Sequence, residues 1–156
     1  MFELLVDDDR IVSGDGFVFD LDGVLVDSEA CWQVAENQAI EMLGGVLPTT
    51  REGIAGLSPD DAGRVLAERA NLHGRAGELQ ELVEEIAVDV FRRDVVAIEG
   101  ADRFVTAVRR WCPVVVATNS PRDIAEASLS ASGLTDLVDI LVTVDEVGAG
   151  KPAPDL

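Results

Sequence analysis

Two aspartates one residue apart, Asp20 and Asp22, close a short apolar run in "GFVFDLDG" (16–23). Carboxylates this close repel each other, so such a pair usually needs a cation or a shared proton. With a divalent cation, one carboxylate can serve as nucleophile and the other as general acid/base. Gly23 frees the chain to turn sharply away after them. The pair alone also fits a metal and sugar-nucleotide D-x-D site, or an acidic turn with no chemistry. It does not fit an EF-hand loop, which needs Gly at its sixth position; here Gly23 would be fourth.

Two further groups bear on the choice. In "VVVATNS" a buried strand ends at Thr118 and a helix follows at once. Helix N-termini bind phosphate through free N–H groups and the helix dipole, and Thr118, Asn119 and Ser120 add side-chain hydrogen bonds. Ser120 equally reads as a plain helix cap, with Pro121 as the first helical residue. Lys151, between Gly150 and Pro152, is the only lysine in a chain that otherwise uses arginine. A lysine in a loop is most often simply solvated, but a compact positive charge here is suited to holding phosphate oxygens.

These residues need elements to carry them. The apolar run at 16–20 predicts a buried strand, and Val114–Ala117 predicts a strand buried on both faces. A third buried strand is expected over 139–144, "DILVTV". Residues 2–6 and 10–12 suit a short extra strand or hairpin. Between the first two strands the pattern is helical. Trp32, Ala35, Ala39 and Met42/Leu43 recur at helical spacing up to Gly44–Gly45, and "SPDDAGRVLAERA" opens like a capping box. Leu79, Leu82, Val83, Ile86 and Val90 form a third stripe, and Phe104, Ala107, Val108 and Trp111 a fourth. The expected architecture is α/β: a parallel-sheet core from 1–27 and 98–156, with a helical insertion over 28–97. Three strands are fewer than the typical ~5–6, so the sheet is expected to be incomplete.

The chain has 156 residues, with 30 acidic against 12 basic side chains and a net charge of −18. Such a surface repels nucleic acid and anionic membranes, so neither is an expected partner. An anionic substrate would need a local positive site, which screening over roughly 8 Å permits. Cys31 and Cys112 match no zinc spacing and read as reduced thiols in a cytoplasmic protein. The acidic stretch with Asp7, Asp8 and Asp9 does not read as a signal peptide. His73, in "NLHGRAG", reads as an exposed loop residue.

Taken together, "FDLDGVLVDSE", "VVVATNS" and "GKPAPDL" resemble the first three ordered motifs of the haloacid dehalogenase-like superfamily of phosphohydrolases, in its branch with a helical cap. The resemblance runs over roughly 16–156. It implies a Rossmann-like core with an inserted helical cap and an Mg²⁺-dependent phosphatase of small phosphorylated metabolites, such as sugar phosphates or phosphoglycolate. By the same resemblance, Asp20 attacks phosphorus to form an aspartyl phosphate, and Asp22 protonates the leaving alcohol and then activates water. Thr118, Asn119, Ser120 and Lys151 bind the phosphoryl group, and the Asp20 carboxylate with the Asp22 backbone carbonyl binds Mg²⁺. Gly56, Leu57 and Ser58 resemble the loop that closes over substrate. Family ATPases carry Thr at the position of Asp22, so Asp22 favours a phosphatase or mutase. A phosphosugar mutase is disfavoured, because the His near Trp32 and the Arg near Pro59 that β-phosphoglucomutases carry are absent.

One family feature has no counterpart: an acidic pair on a later strand that completes the metal site. Asp145 and Glu146 are acids nearby in sequence, but the family pattern places no ligands there. The resemblance therefore implies a truncated chain, or one completed by a partner chain or self-association that covers an exposed sheet edge at 16–20. The competing expectation is a catalytically inactive remnant, or an interaction module.

Overall fold

The structure is a computed structural model that describes residues 2–7, 10–54 and 56–156, with side chains from residue 14 onward. Asp8 and Asp9 of the acidic N-terminal stretch lie outside the described residues. In chain order the elements are β1 (Phe2–Asp7), β2 (Arg10–Gly14), β3 (Phe17–Phe19), β4 (Val26–Asp27), α1 (Glu29–Met42), α2 (Pro59–Arg69) and α3 (Ala76–Asp94). They continue with β5 (Val96–Ala97), α4 (Ala101–Arg109), β6 (Val114–Thr118), α5 (Arg122–Ala131) and β7 (Ile140–Thr143). Short 3₁₀ turns occupy Thr135–Leu137 and Val144–Glu146.

The main sheet is parallel, with order β3-β6-β7. Its middle strand is the apolar run of "VVVAT", and Val114, Val116, Ala117 and Thr118 are all buried. The outer strands differ from the expectation of full burial. Val18 on β3 is 66% exposed and Ile140 on β7 is 53% exposed. In a three-stranded sheet only the middle strand has neighbours on both sides, so an outer strand can be apolar in sequence and still meet solvent. The carboxylate of Asp139, just before β7, accepts the Val114 N–H at 2.9 Å and the Arg109 guanidinium at 3.0 Å. These bonds, the backbone one foremost, hold its carboxyl below the usual range. β1 and β2 form a separate antiparallel hairpin.

β4 and β5 are two residues each and pair antiparallel, Val26 opposite Ala97 and Asp27 opposite Val96. The segment between them therefore leaves and returns at one point. Within it α1 and α2 both pack on α3, and α3 also packs on α5. The α2 start follows its sequence pattern: the Ser58 hydroxyl accepts the Asp61 N–H and Pro59 is the first helical residue.

One helical stripe is turned from its expected setting. On α4 the inward residues are Ala101, Val105 and Val108, while Phe104 is 51% and Trp111 78% exposed. Spacing of four and three from Ala101 selects that face, and Trp111 falls beyond the helix end. Phe104 is left at the margin, edge-on to Phe19 at 5.9 Å. The α1 stripe faces the core as expected: Cys31, Ala35, Glu36, Ala39 and Ile40 are buried, Trp32 and Leu43 pack on the core, and Met42 is exposed. Among the described residues, no helix is long and apolar enough to cross a membrane.

One continuous core joins the sheet to the helical segment and includes Leu21, Leu25, Val26, Ile40, Leu79 and Phe91. Phe91, fully buried, meets the Trp32 ring edge-on at 5.0 Å. Phe91→Ala should destabilise the protein by about 3–5 kcal/mol through lost burial and the cavity left behind, measured by urea unfolding.

Candidate active site

The turn after β3 sets the site. Leu21 is fully buried, so the alternation of an extended chain sends Asp20 and Asp22 away from the core. Four N–H groups close the turn: Val24, Leu25 and Val26 donate to Leu21 O at 3.3, 2.9 and 3.1 Å, and Gly23 donates to Val26 O at 2.9 Å. Gly23 has φ of 72° with nothing within 4 Å of an added Cβ. The requirement for glycine there is one of backbone conformation rather than space.

The repulsion within the pair is relieved separately at each carboxylate. Asp20 Oδ1 accepts the Leu21 N–H at 2.8 Å and meets Lys151 Nζ at 2.7 Å. Asp22 has only neutral donors: Ser120 Oγ at 2.6 Å and Thr118 Oγ1 at 3.3 Å on Oδ2, and Trp32 Nε1 at 3.2 Å on Oδ1. Thr118 and Ser120 are buried, whereas the side chains of Asp20 and Lys151 remain 44% and 34% exposed.

Asn119 holds the lysine loop by its backbone. Its Oδ1 accepts the Lys151 N–H at 2.7 Å, and its Nδ2 donates to Lys151 O at 3.2 Å. The same Nδ2 lies 3.3 Å from Gly56 O, in the loop before α2. Ser120 is not the helix cap that its type suggested. Pro121 takes that position, and the hydroxyl turns to Asp22. Two N–H groups near this helix start already have partners: that of Ser120 goes to Thr118 Oγ1, and that of Arg122 to Asp145 Oδ1. Any anion here meets hydroxyl, amide and ammonium side chains before it meets a bare helix end.

Asp20, Asp22, Thr118, Asn119, Ser120 and Lys151 line one cavity of about 230 Å³. Trp32, Glu36, Arg51, Gly56, Leu57 and Gln80 line it from the helical segment. Arg51 makes a fork to Glu36 at 2.7 and 2.8 Å and also bonds Glu29. Burial pushes the Glu36 carboxyl up, against the pull of Arg51. Gly56 and Leu57 belong to the loop expected over substrate, whereas the sequence pattern assigns no site role to Trp32, Glu36, Arg51 or Gln80. The Trp32 indole was read only as an apolar helix position, and Glu36 and Arg51 are fifteen residues apart. The one available signal was Glu36 itself, a charge inside the apolar stripe of α1. His73 is exposed, as expected, and both cysteines are free and buried.

The donors can be tested against a magnesium ion. Among the described residues no three His, Cys, Asp or Glu side chains gather as a metal cluster. Asp145 and Glu146 are engaged by Arg122. Asp20 Oδ2 has no hydrogen bond within the described residues, beside the oxygen that Lys151 takes. Magnesium commonly needs only one or two carboxylates, with substrate phosphate and water completing its shell, and these residues fit that minimal set.

A model of the haloacid dehalogenase-like hydrolase family matches residues 15–156, and the chain belongs to that family. It is 30% identical over 143 residues to validoxylamine A 7′-phosphate phosphatase of Streptomyces hygroscopicus subsp. limoneus, a match covering 88% of this chain and 65% of that protein. To phosphoglycolate phosphatase of Rhodobacter capsulatus it is 28% identical over 153 residues, covering 89% of this chain and 66% of that one. The chain thus spans just under two thirds of the length of these curated relatives. Among solved structures, CbbY from Rhodobacter sphaeroides in complex with phosphate shares the fold, with a TM-score of 0.75 and 21% identity over 90% of this chain and 68% of that one.

The Lys151 loop is tightly seated. A Cβ on Gly150 would lie 2.5 Å from Asn119 Oδ1 and 2.9 Å from Val144. Gly150→Ala should therefore push Asn119 off the loop, cost about 1–3 kcal/mol in urea unfolding, and raise the reactivity of Lys151 toward amine-labelling reagents.

Proposed function

We propose that this chain carries the active site of a phosphatase for small phosphorylated metabolites, of sugar phosphate or phosphoglycolate type, working through an aspartyl phosphate. The observation that carries the reading is the convergence of two separate segments, 118–120 and the Lys151 loop, on one carboxylate pair. Lys151 sits on Asp20, and Thr118 and Ser120 sit on Asp22. The relatives' names and the phosphate complex of CbbY support it.

In this reading Asp20 attacks phosphorus through Oδ2, the oxygen that neither Leu21 nor Lys151 occupies. The bond from phosphorus to the leaving oxygen breaks, and Asp22 gives that oxygen a proton. Asp22 then takes a proton from the water that opens the acyl phosphate, which returns both carboxyls to their starting states. Lys151 keeps Asp20 in line and faces the phosphoryl oxygens; Thr118, Asn119 and Ser120 supply neutral donors. Phosphoryl transfer depends mainly on such positioning and charge neutralisation. Magnesium would be held by Asp20 and Asp22 and, when bound, neutralises phosphoryl charge. Residues 28–97 act as the cap over the cavity.

Asp20→Asn should abolish hydrolysis of a generic aryl phosphate, and Asp22→Asn should slow it by about 10²–10⁴-fold. An unchanged rate in Asp20→Asn would overturn the mechanism.

A second reading, a phosphate-binding module without turnover, is favoured by the lack of a three-carboxylate cluster among the described residues. Calorimetric titration with magnesium separates the two: the enzyme reading expects saturable binding that Asp20→Asn removes, and the module reading expects none.

A further inference from the structure

Among the described residues, Arg51 is the only cation of the helical segment that lines the cavity, and its charge is already paired. A guanidinium has about five N–H donors. Arg51 places one each on Glu36 Oε2 and Oε1, and two on the carbonyl and carboxylate of Glu29. The loop that carries it is pinned on both sides, because Arg69 donates to Thr50 O at 3.3 Å and to Glu52 O at 2.9 Å. The Glu36 side chain is only 6% exposed and lies on the buried face of α1 beside Ala35, Ala39 and Ile40. Breaking a buried pair by removing one partner strands the other charge and is strongly unfavourable. An incoming carboxylate therefore cannot recruit Arg51 without stranding Glu36.

The remaining charges point the same way. Apart from Asp20, Asp22 and Lys151, which face the phosphoryl group, the charged lining residues are Asp27, Glu29, Glu36 and Arg51. Three carboxylates against one guanidinium leave this wall negative. Its Glu29 side chain is 61% exposed, and Gln80 and Ser28 add neutral polar groups. The cavity, about 230 Å³, is smaller than the roughly 300–1,000 Å³ of sites for drug-sized ligands, which favours a leaving group of about one ring.

We propose that the Glu29–Glu36–Arg51 triad selects substrate by charge: the leaving alcohol is a small neutral or cationic polyhydroxy compound, and a second anionic group is rejected. This rests on the phosphatase reading above and narrows it, because phosphoglycolate-type substrates are then poor. Specificity of this kind comes from an unfavourable element set against the wrong ligand as much as from attraction to the right one.

The test compares kcat/KM for fructose 1-phosphate, glucosamine 6-phosphate and 2-phosphoglycolate, with an aryl phosphate as reference. The wild type should prefer the neutral and amino sugars over phosphoglycolate by on the order of tenfold or more. Glu29→Gln, at an exposed position, removes one wall charge and frees part of Arg51; the preference should shrink several-fold. Equal or better use of phosphoglycolate by the wild type, or an unchanged preference in Glu29→Gln, overturns the proposal. If the aryl phosphate is not hydrolysed, the phosphatase reading fails on its own. Charge selection is then decided by calorimetry: weaker binding of phosphoglycolate than of fructose 1-phosphate supports it, and the reverse order overturns it.

Discussion

Two carboxylates hang from a single turn, and much of the surrounding structure balances their repulsion. The balance is uneven by construction. Asp20 receives a full positive charge from Lys151, whereas Asp22 receives three neutral donors from two different elements. A charged partner and a set of neutral ones create different environments for two chemically identical groups. The proposed mechanism uses that difference, with one aspartate as nucleophile and its neighbour as proton carrier.

Maintaining this arrangement draws on the whole fold. β6 must be central and buried so that Thr118 and Ser120 arrive at a fixed height beside the β3 turn. Trp32 reaches Asp22 because α1 starts directly after β4, and Phe91 of α3 backs the indole ring. Asn119 ties the lysine loop to the loop before α2, so the two sides of the cavity share one amide. The site is thus built from short contacts among neighbouring elements.

Much of this was legible in the amino-acid sequence. A short apolar run marked β3 and a β-branched one marked β6, Gly23 marked the turn, and the motif around each chemical residue marked its loop. What escaped follows from physics that local pattern does not carry. β4 and β5 are two residues each, too short to show any period. Ser120 has the chemistry of a helix cap, but Asp22, ninety-eight residues away, competes for its hydroxyl and wins. The face of α4 and the exposure of β7 depend on what covers them, which periodicity cannot report. Glu36 stands out as a charge in the apolar stripe of α1, but nothing in the local pattern names Arg51, fifteen residues on, as its partner.

The placement of the two indoles has an optical consequence. The chain has two tryptophans and no tyrosine. Trp111 stands in solvent at the far end of β6, while Trp32 is a wall of the cavity and bonds Asp22. Ultraviolet emission therefore has two sources with separate duties. The outer one is a constant background, and the inner one changes when anything occupies the cavity or alters its bond to Asp22. The protein contains its own fluorophore for the site, and no label need be attached to watch a ligand arrive.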